Sequence, residues 1–325
     1  MKVLVTGGAG YIGSHTVLAL IERGDEVVVI DNLSTGIRGH VDDNAIFVEG
    51  EVSNQEMVCN LIARHHIESV VHFAGSIVVP ESVAKPLSYY ENNVVASRAL
   101  IEACIGAGIK QFIFSSTATV YAEDARQPLT EDERKAPISP YARSKLMTEW
   151  MLEDVSRATD LRHIVLRYFN VCGADPKGRT GQVSAVPTHL IKRAVMAALG
   201  RIPQLEIFGT DYPTPDGTGV RDYIHVTDLA NAHLLALDAL HRGATSTSYN
   251  CGYGRGLSVR QIVAAVEAVI GRSLPVKESA RRAGDPPTLI ADPRRIKAEF
   301  GWIPQHDDIE EIIRSALDWE RRFNA

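Results

Sequence analysis

The sequence predicts an α/β fold, a doubly wound parallel sheet with a smaller mixed C-terminal lobe. Three observations carry that reading. Short β-branched runs alternate with helical patterns, a glycine-rich turn joins the first run to the first helix, and Gly and Pro become dense after about residue 173. Strand alternating with helix is the sign of a parallel sheet covered on both faces. With 325 residues, 45% of them apolar and 23% charged, the chain can bury a core of about two domains' size.

The expected strands are Lys2 to Thr6, Glu26 to Ile30, Ala45 to Val48, Ser69 to Phe73, Gln111 to Ser115 and Arg162 to Arg167. The helices between them fall at about residues 11–23, 54–65, 90–107 and 139–157. Gly24 stops the first, and Gly106 and Gly108 follow the third. Beyond Gly173 the texture is loops with short elements, and a second Gly/Pro-rich stretch, Gly284 to Pro293, precedes a last helix near 307–323. The chain is expected to return to the sheet between Tyr223 and Leu240. Residues 1–172 and 222–251 then form a nucleotide-binding domain, and residues 173–221 and 252–325 the smaller lobe.

Several function classes are disfavoured at this level. The 34 basic against 40 acidic residues leave a net charge of −6, scattered rather than clustered, which argues against nucleic acid as a partner. Cys59, Cys104, Cys172 and Cys251 lie far apart with no C-x-x-C pair, so neither a structural metal nor a disulfide scaffold is expected. No apolar run reaches the ~18 residues of a membrane span. The run Val3-Leu4-Val5 meets Gly7-Gly8 too early for a signal peptide. A reducing cytoplasm is the expected compartment.

The first strand runs straight into Gly7-Gly8-Ala9-Gly10-Tyr11-Ile12-Gly13 and an amphipathic helix. Glycine suits a tight turn, close approach of backbone to a pyrophosphate and contact between helix and strand. Asp31 ends the second strand, where a carboxylate accepts hydrogen bonds from the adenosine ribose and repels a 2′-phosphate; this makes the sheet Rossmann-type and favours NAD over NADP. The second motif is Tyr141-Ala142-Arg143-Ser144-Lys145 after Ser139-Pro140, a good helix start that puts Tyr141 and Lys145 on one face. Burial alone raises a phenol's pKa. Bringing it from about 10 to near 7 takes about three units, roughly 4 kcal/mol, which a lysine cation and an oxidised nicotinamide must supply. The third element, Ser115 to Tyr121, ends the fifth strand, where open α/β sheets bind ligands and where Thr117 can relay a hydrogen bond to Tyr141. Singly, each has a plain alternative: a glycine turn with an unrelated Asp, neighbours on a surface helix, or a hydroxyl-rich loop.

In this order the three motifs resemble the extended short-chain dehydrogenase/reductase family, over most of the chain. Further segments point within it to the sugar-nucleotide 4-epimerases: Asp31-Asn32-Leu33, His72-Phe73-Ala74-Gly75, Lys85 to Tyr90, Arg167 to Asn170 and Asp216 to Val226. The resemblance implies NAD as cofactor, held by Gly7, Gly10, Tyr11, Ile12, Gly13, Asp31, Asn32, Glu51, Val52, Phe73, Ala74, Gly75, Asn92, Ser115, Tyr141, Lys145 and Tyr168. It gives Tyr141 the role of base, Lys145 that of its partner and Thr117 the sugar 4-hydroxyl. A UDP-sugar, UDP-galactose or UDP-glucose, would be held by Asn170, Phe208, Arg221, Tyr223 and the pair Arg282 and Asp285, with Leu289 gating space beside the sugar 2-position. The implied reaction is inversion at C4 through a transient 4-keto sugar, and the implied assembly is a homodimer paired through helices 90–107 and 139–157.

Departures are visible. Glu51 stands where many relatives have Asp, Ile77 where some carry Lys near the cofactor, and Gln182 to Lys192 matches poorly, with His189 near a position often Asn. Ala118-Thr119 follow Thr117 where a 4,6-dehydratase places an acidic pair, which argues against that chemistry. Open alternatives are a 4-epimerase of UDP-N-acetylglucosamine, UDP-glucuronate or UDP-xylose/arabinose, and a non-catalytic NAD-sensing protein of the same fold.

Overall fold

A computed structural model describes residues 1–183, 187–282 and 285–323. Part of the poorly matching 182–192 segment and the start of the Gly284 to Pro293 stretch lie outside the described residues. The strands are β1 (Lys2–Thr6), β2 (Glu26–Asp31), β3 (Ile46–Glu49), β4 (Ser69–His72), β5 (Gln111–Thr117), β6 (Arg162–Tyr168), β7 (Asn170–Cys172), β8 (Leu205–Phe208), β9 (Val220–His225), β10 (Thr247–Cys251), β11 (Gly256–Ser258), β12 (Val276–Ser279) and β13 (Thr288–Leu289). The helices are α1 (Tyr11–Arg23), α2 (Gln55–His65), α3 (Val79–Ala84), α4 (Pro86–Tyr90), α5 (Ala96–Gly106), α6 (Pro140–Ala158), α7 (Leu190–Ala198), α8 (Val226–His241), α9 (Val259–Ile270), α10 (Arg294–Phe300) and α11 (Ile309–Phe323).

The main sheet has seven strands in the order β3-β2-β1-β4-β5-β6-β10, all parallel. The order reverses between β1 and β4, and a crevice opens there at the carboxyl ends of the strands. Val3, Val5 and Val29 pack beneath α1 and α8, while Leu4, Val28 and Val70 pack beneath α2 and α5. Alternate residues of one strand thus feed two cores, which is why these strands are apolar without a break.

Two expectations are corrected. The return to the sheet is made by β10, not by residues 223–240. Residues 226–241 are α8, a cover helix with Leu229, Leu237 and Leu240 turned into the core. β9 belongs instead to a second sheet with β7, β11 and β13. The expected helix at 90–107 begins earlier, at Pro86, and a π turn, Glu91–Val95, interrupts it.

The smaller sheet places site residues in register: Asn170 lies opposite Tyr223, and Leu289 opposite Arg221. β8 pairs with β12, so Phe208 at the end of β8 sits beside Ser279. α11 carries its apolar stripe of Ile312, Ile313 and Leu317 onto α7 and α9.

The β1–α1 turn shows why glycine is required. Gly7 has φ 69°, and a Cβ there would lie 2.6 Å from the Ala74 backbone nitrogen; one on Gly13 would lie 2.2 Å from the Gly7 oxygen. Gly13→Ala is therefore expected to lower stability by about 1–3 kcal/mol and to reduce bound NAD. Denaturant unfolding and cofactor content check this, and an unchanged protein on both measures would mean that the turn is looser than its contacts indicate.

Candidate active site

The amino end of α1 meets the crevice between β1 and β4. Its cap is Gly10, with no side-chain cap and no acidic residue in the first turn. Its first N–H groups are thus left for an anion. Asp31 is buried, and each of its oxygens accepts one backbone N–H, from Ala9 at 2.9 Å and Leu33 at 2.8 Å. That fixes the carboxylate at the mouth of the turn and leaves further lone pairs for ribose hydroxyls. The glycine cradle, the bare helix end and this carboxylate fit a dinucleotide.

Other expected cofactor residues converge on the same crevice. Asn32 Nδ2 donates to Glu51 at 3.1 Å, so the longer acid is accommodated at the rim, with Val52 buried beside it. Phe73, Ala74 and Gly75 leave β4 directly over the turn. Asn92 donates to the Ser76 hydroxyl at 2.9 Å. Ile12 packs on the core, whereas Tyr11 spends its hydroxyl on the Gly173 carbonyl at 2.7 Å, tying α1 to the chain that enters the smaller lobe. Tyr168 is buried with its hydroxyl 2.6 Å from His233. Ile77 is exposed and offers no charge.

Tyr141 and Lys145 lie on α6, started by Ser139, whose hydroxyl accepts the Ala142 N–H at 3.2 Å, and by Pro140 in the first turn. The i, i+4 spacing puts both on the face toward β5. Lys145 is 3% exposed; its Nζ donates to the Ser115 carbonyl at 3.0 Å and stands 5.0 Å from the centre of the Phe114 ring. Burial pulls its pKa down to about 8, with the Glu149 carboxylate opposing. Burial pushes Tyr141 up to about 12, opposed by its hydrogen bond with Thr117. Thr117 ends β5 and caps the short turn that follows, accepting the Thr119 N–H at 3.2 Å. The expected trio is therefore assembled, but with the phenol protonated: the protein alone does not make Tyr141 a base.

The smaller lobe contributes Lys192, Arg221 and Arg282. Asn170 and Tyr223 line a cleft with Gln182, His189 and Lys192. The Arg282 guanidinium lies 3.7 Å from the centre of the Phe208 ring, which holds both planes in place. Asp285 stays beside Arg282, its N–H donating to the Arg282 carbonyl at 3.4 Å. Asp285 is ion-paired with Arg221, whose guanidinium also donates to the Val220 carbonyl at 2.9 Å. The reason is register: β13 follows Asp285 closely and lies directly against Arg221 of β9. Leu289 is half-buried against the cluster that includes Ala118, Leu146 and Phe169.

Sequence reasoning missed two buried groups. Asn93, in the π turn, accepts the Ser76 N–H at 2.8 Å and donates to the Ser76 carbonyl and the Ser144 hydroxyl, each at 2.9 Å. It clamps the loop after β4 to the helix that carries Tyr141 and Lys145. The second is Glu149, paired with Arg167 at 2.6 Å and bonded by Ser116. Its place one turn beyond Lys145 was a usable signal; Asn93 had none, because a π turn breaks the 3.6-residue phase.

Fold and site define a dinucleotide-binding α/β enzyme with a Tyr-x-x-x-Lys pair at the carboxyl edge of its sheet. The chain belongs to the NAD dependent epimerase/dehydratase family, whose sequence model matches residues 3–252. It is 55% identical over 320 residues to a UDP-glucose 4-epimerase of Azospirillum brasilense, covering 98% of this chain and 92% of that one. The UDP-glucose 4-epimerase of Brucella ovis, solved in complex with NAD, superposes with a TM-score of 0.94 at 46% identity, covering 98% and 97% of the two chains. The enzyme of Stenotrophomonas maltophila, solved with bound NAD and formylated UDP-arabinopyranose, gives 0.97 at 38% identity over 100% and 99%.

Removing the phenol hydroxyl tests the assignment of the base. Tyr141→Phe is expected to lower kcat at least about 100-fold, the usual scale of lost acid–base catalysis, while the purified protein keeps its NAD. Near-normal turnover would take Tyr141 out of the chemistry.

Proposed function

We propose that the chain catalyses NAD-dependent epimerisation at C4 of a UDP-hexose, interconverting UDP-galactose and UDP-glucose. The observation that carries this is Tyr141, Lys145 and Thr117 gathered at the carboxyl end of β5, close to the loop that covers the β1–α1 turn, with Arg221 and Arg282 held in the smaller lobe. The relatives' NAD-bound and UDP-sugar-bound structures support the same reading. NAD, when bound, supplies the oxidant that takes the C4 hydrogen and later gives it back. Thr117 holds the sugar O4, Tyr141 accepts its proton, and Lys145 holds the phenolate by its charge. Asn170, Arg221 and Arg282 grip the diphosphate, so the 4-keto sugar can turn about that anchor and offer its other face at C4 for the hydrogen's return, while Tyr141 gives its proton back to O4. Tyr223 and Phe208 wall the nucleotide side.

We assign residues 1–172 and 222–251 to the cofactor-binding part and 173–221 and 252–325 to the UDP-sugar lobe. The place of β10 in the main sheet and the pairing of β8 with β12 support this. A homodimer is supported by the apolar surface of the helices beside the site, where Leu87 is 79% and Trp150 53% exposed. Four unpaired cysteines support a reducing compartment, the cytoplasm.

Purified protein given UDP-galactose deuterated at C4, without added NAD, is expected to form UDP-glucose over many turnovers with the deuterium still at C4. Arrest after one equivalent of reduction would mean a dehydrogenase, and no reaction would mean a protein that only senses NAD. Leu289 adds a selectivity test: Leu289→Tyr is expected to depress turnover of UDP-N-acetylglucosamine more than that of UDP-galactose, and equal effects would remove Leu289 as the gate.

A further inference from the structure

We propose that Glu149 is a positioning residue of this site: its carboxylate, locked by Ser116 and Arg167, keeps the Lys145 side chain a cation beneath Tyr141. The inference rests on the reading of Lys145 as the partner of Tyr141.

Lys145 is buried with one carbonyl and one aromatic face for company, and among the described residues no carboxylate forms an ion pair with it. An ammonium in such a place loses its proton readily unless a negative charge stands near. Glu149 lies one turn further along α6 on the same face, and it is buried too, at 6% exposure. Its two oxygens are held by neighbouring strands. Ser116 donates to it from β5, next to Thr117, and Arg167 reaches it from β6 through Nε at 3.1 Å and Nη2 at 2.6 Å. Arg167 is held in turn on its other side by the Tyr121 hydroxyl at 2.8 Å, the Glu131 carbonyl at 3.3 Å and the Ser248 hydroxyl at 3.3 Å. The guanidinium is therefore fixed among Tyr121, Glu131 and Ser248, and it in turn fixes the Glu149 carboxylate on α6.

The other titratable groups around Lys145 do not supply the charge. Tyr141 is a neutral phenol in the protein alone, and the phenolate formed with NAD bound is the charge that the Lys145 cation is needed to hold. His72 of β4 is neutral, with burial and the lysine itself holding its pKa down to about 3, and its two nitrogens lie 2.7 Å from Thr6 Oγ1 and 2.8 Å from Ser97 Oγ. Glu149 is the group that opposes the loss of the Lys145 proton. A buried ion pair gains little over apolar side chains of the same volume, so stability alone does not account for two charges spent at this spot.

The test compares Glu149→Gln with the double variant Glu149→Gln, Arg167→Met, which removes both charges and keeps the protein foldable if the single variant strands a buried guanidinium. For each NAD-loaded protein, kcat and KM for UDP-galactose are measured across pH, with unfolding and cofactor content as controls. Lys145 acts when protonated, so its activity is lost as pH rises through its pKa. Losing the carboxylate lowers that pKa, and the alkaline limb of kcat is expected to move down by about one pH unit, with KM within about twofold, a small change in binding free energy. A folded double variant whose alkaline limb stays where it is in the parent protein, or whose kcat falls evenly at every pH, overturns the proposal and leaves a structural role. Lys145→Met separates the two levels: normal turnover there would overturn the reading of Lys145 itself, whereas loss of turnover there with an unmoved limb in the Glu149 variants overturns only the inference.

Discussion

Two ionisable side chains must carry charge in a place that disfavours charge, and the rest of the site is built around that constraint. Burial holds the Tyr141 phenol near 12 and pulls the Lys145 ammonium down to about 8, so desolvation works against both active forms at once. Dry surroundings are also what make each nearby charge count. The phenolate needs cations within a few ångströms, and the lysine needs a reason to stay protonated. The first demand explains why the loop after β4 and the β1–α1 turn bring the cofactor crevice to the end of β5. The second gives the buried Glu149 and Arg167 a purpose.

Positioning is the complementary problem. A hydroxyl relay works over fractions of an ångström, and the pieces come from distant parts of the chain: Thr117 from β5, Tyr141 and Lys145 from α6, and the nicotinamide side from the loop at 74–76. Asn93 links the last two by bonds to Ser76 and Ser144. The smaller lobe has a different task. On the proposed reading, a chain of net charge −6 still holds a diphosphate because Arg221 and Arg282 are placed one by one, with Asp285 and Phe208 orienting them.

Much of this was legible in the sequence where local pattern and chemistry coincide. The first strand, glycine turn and helix follow from sterics that only glycine meets, and Ser139-Pro140 announces α6 by capping. The parallel sheet could be read from uninterrupted β-branched runs such as Val27-Val28-Val29. What was not legible depends on contacts far apart in the chain. β10 is a short run, Thr247–Cys251, that is a sheet strand only because β6 offers an edge. The π turn at 91–95 shifts phase without any Gly or Pro to mark it. The Arg221–Asp285 pair depends on β13, two residues long, choosing β9 as its neighbour.

The most direct measurement is a titration of the Tyr141 phenol by its phenolate absorbance, as the difference between parent protein and Tyr141→Phe, with and without NAD⁺. The account expects a phenol that ionises near 12 without cofactor and near neutrality with it, a fall of several units driven by the added cation above Lys145. A phenol that ionises at the same pH in both states would contradict it.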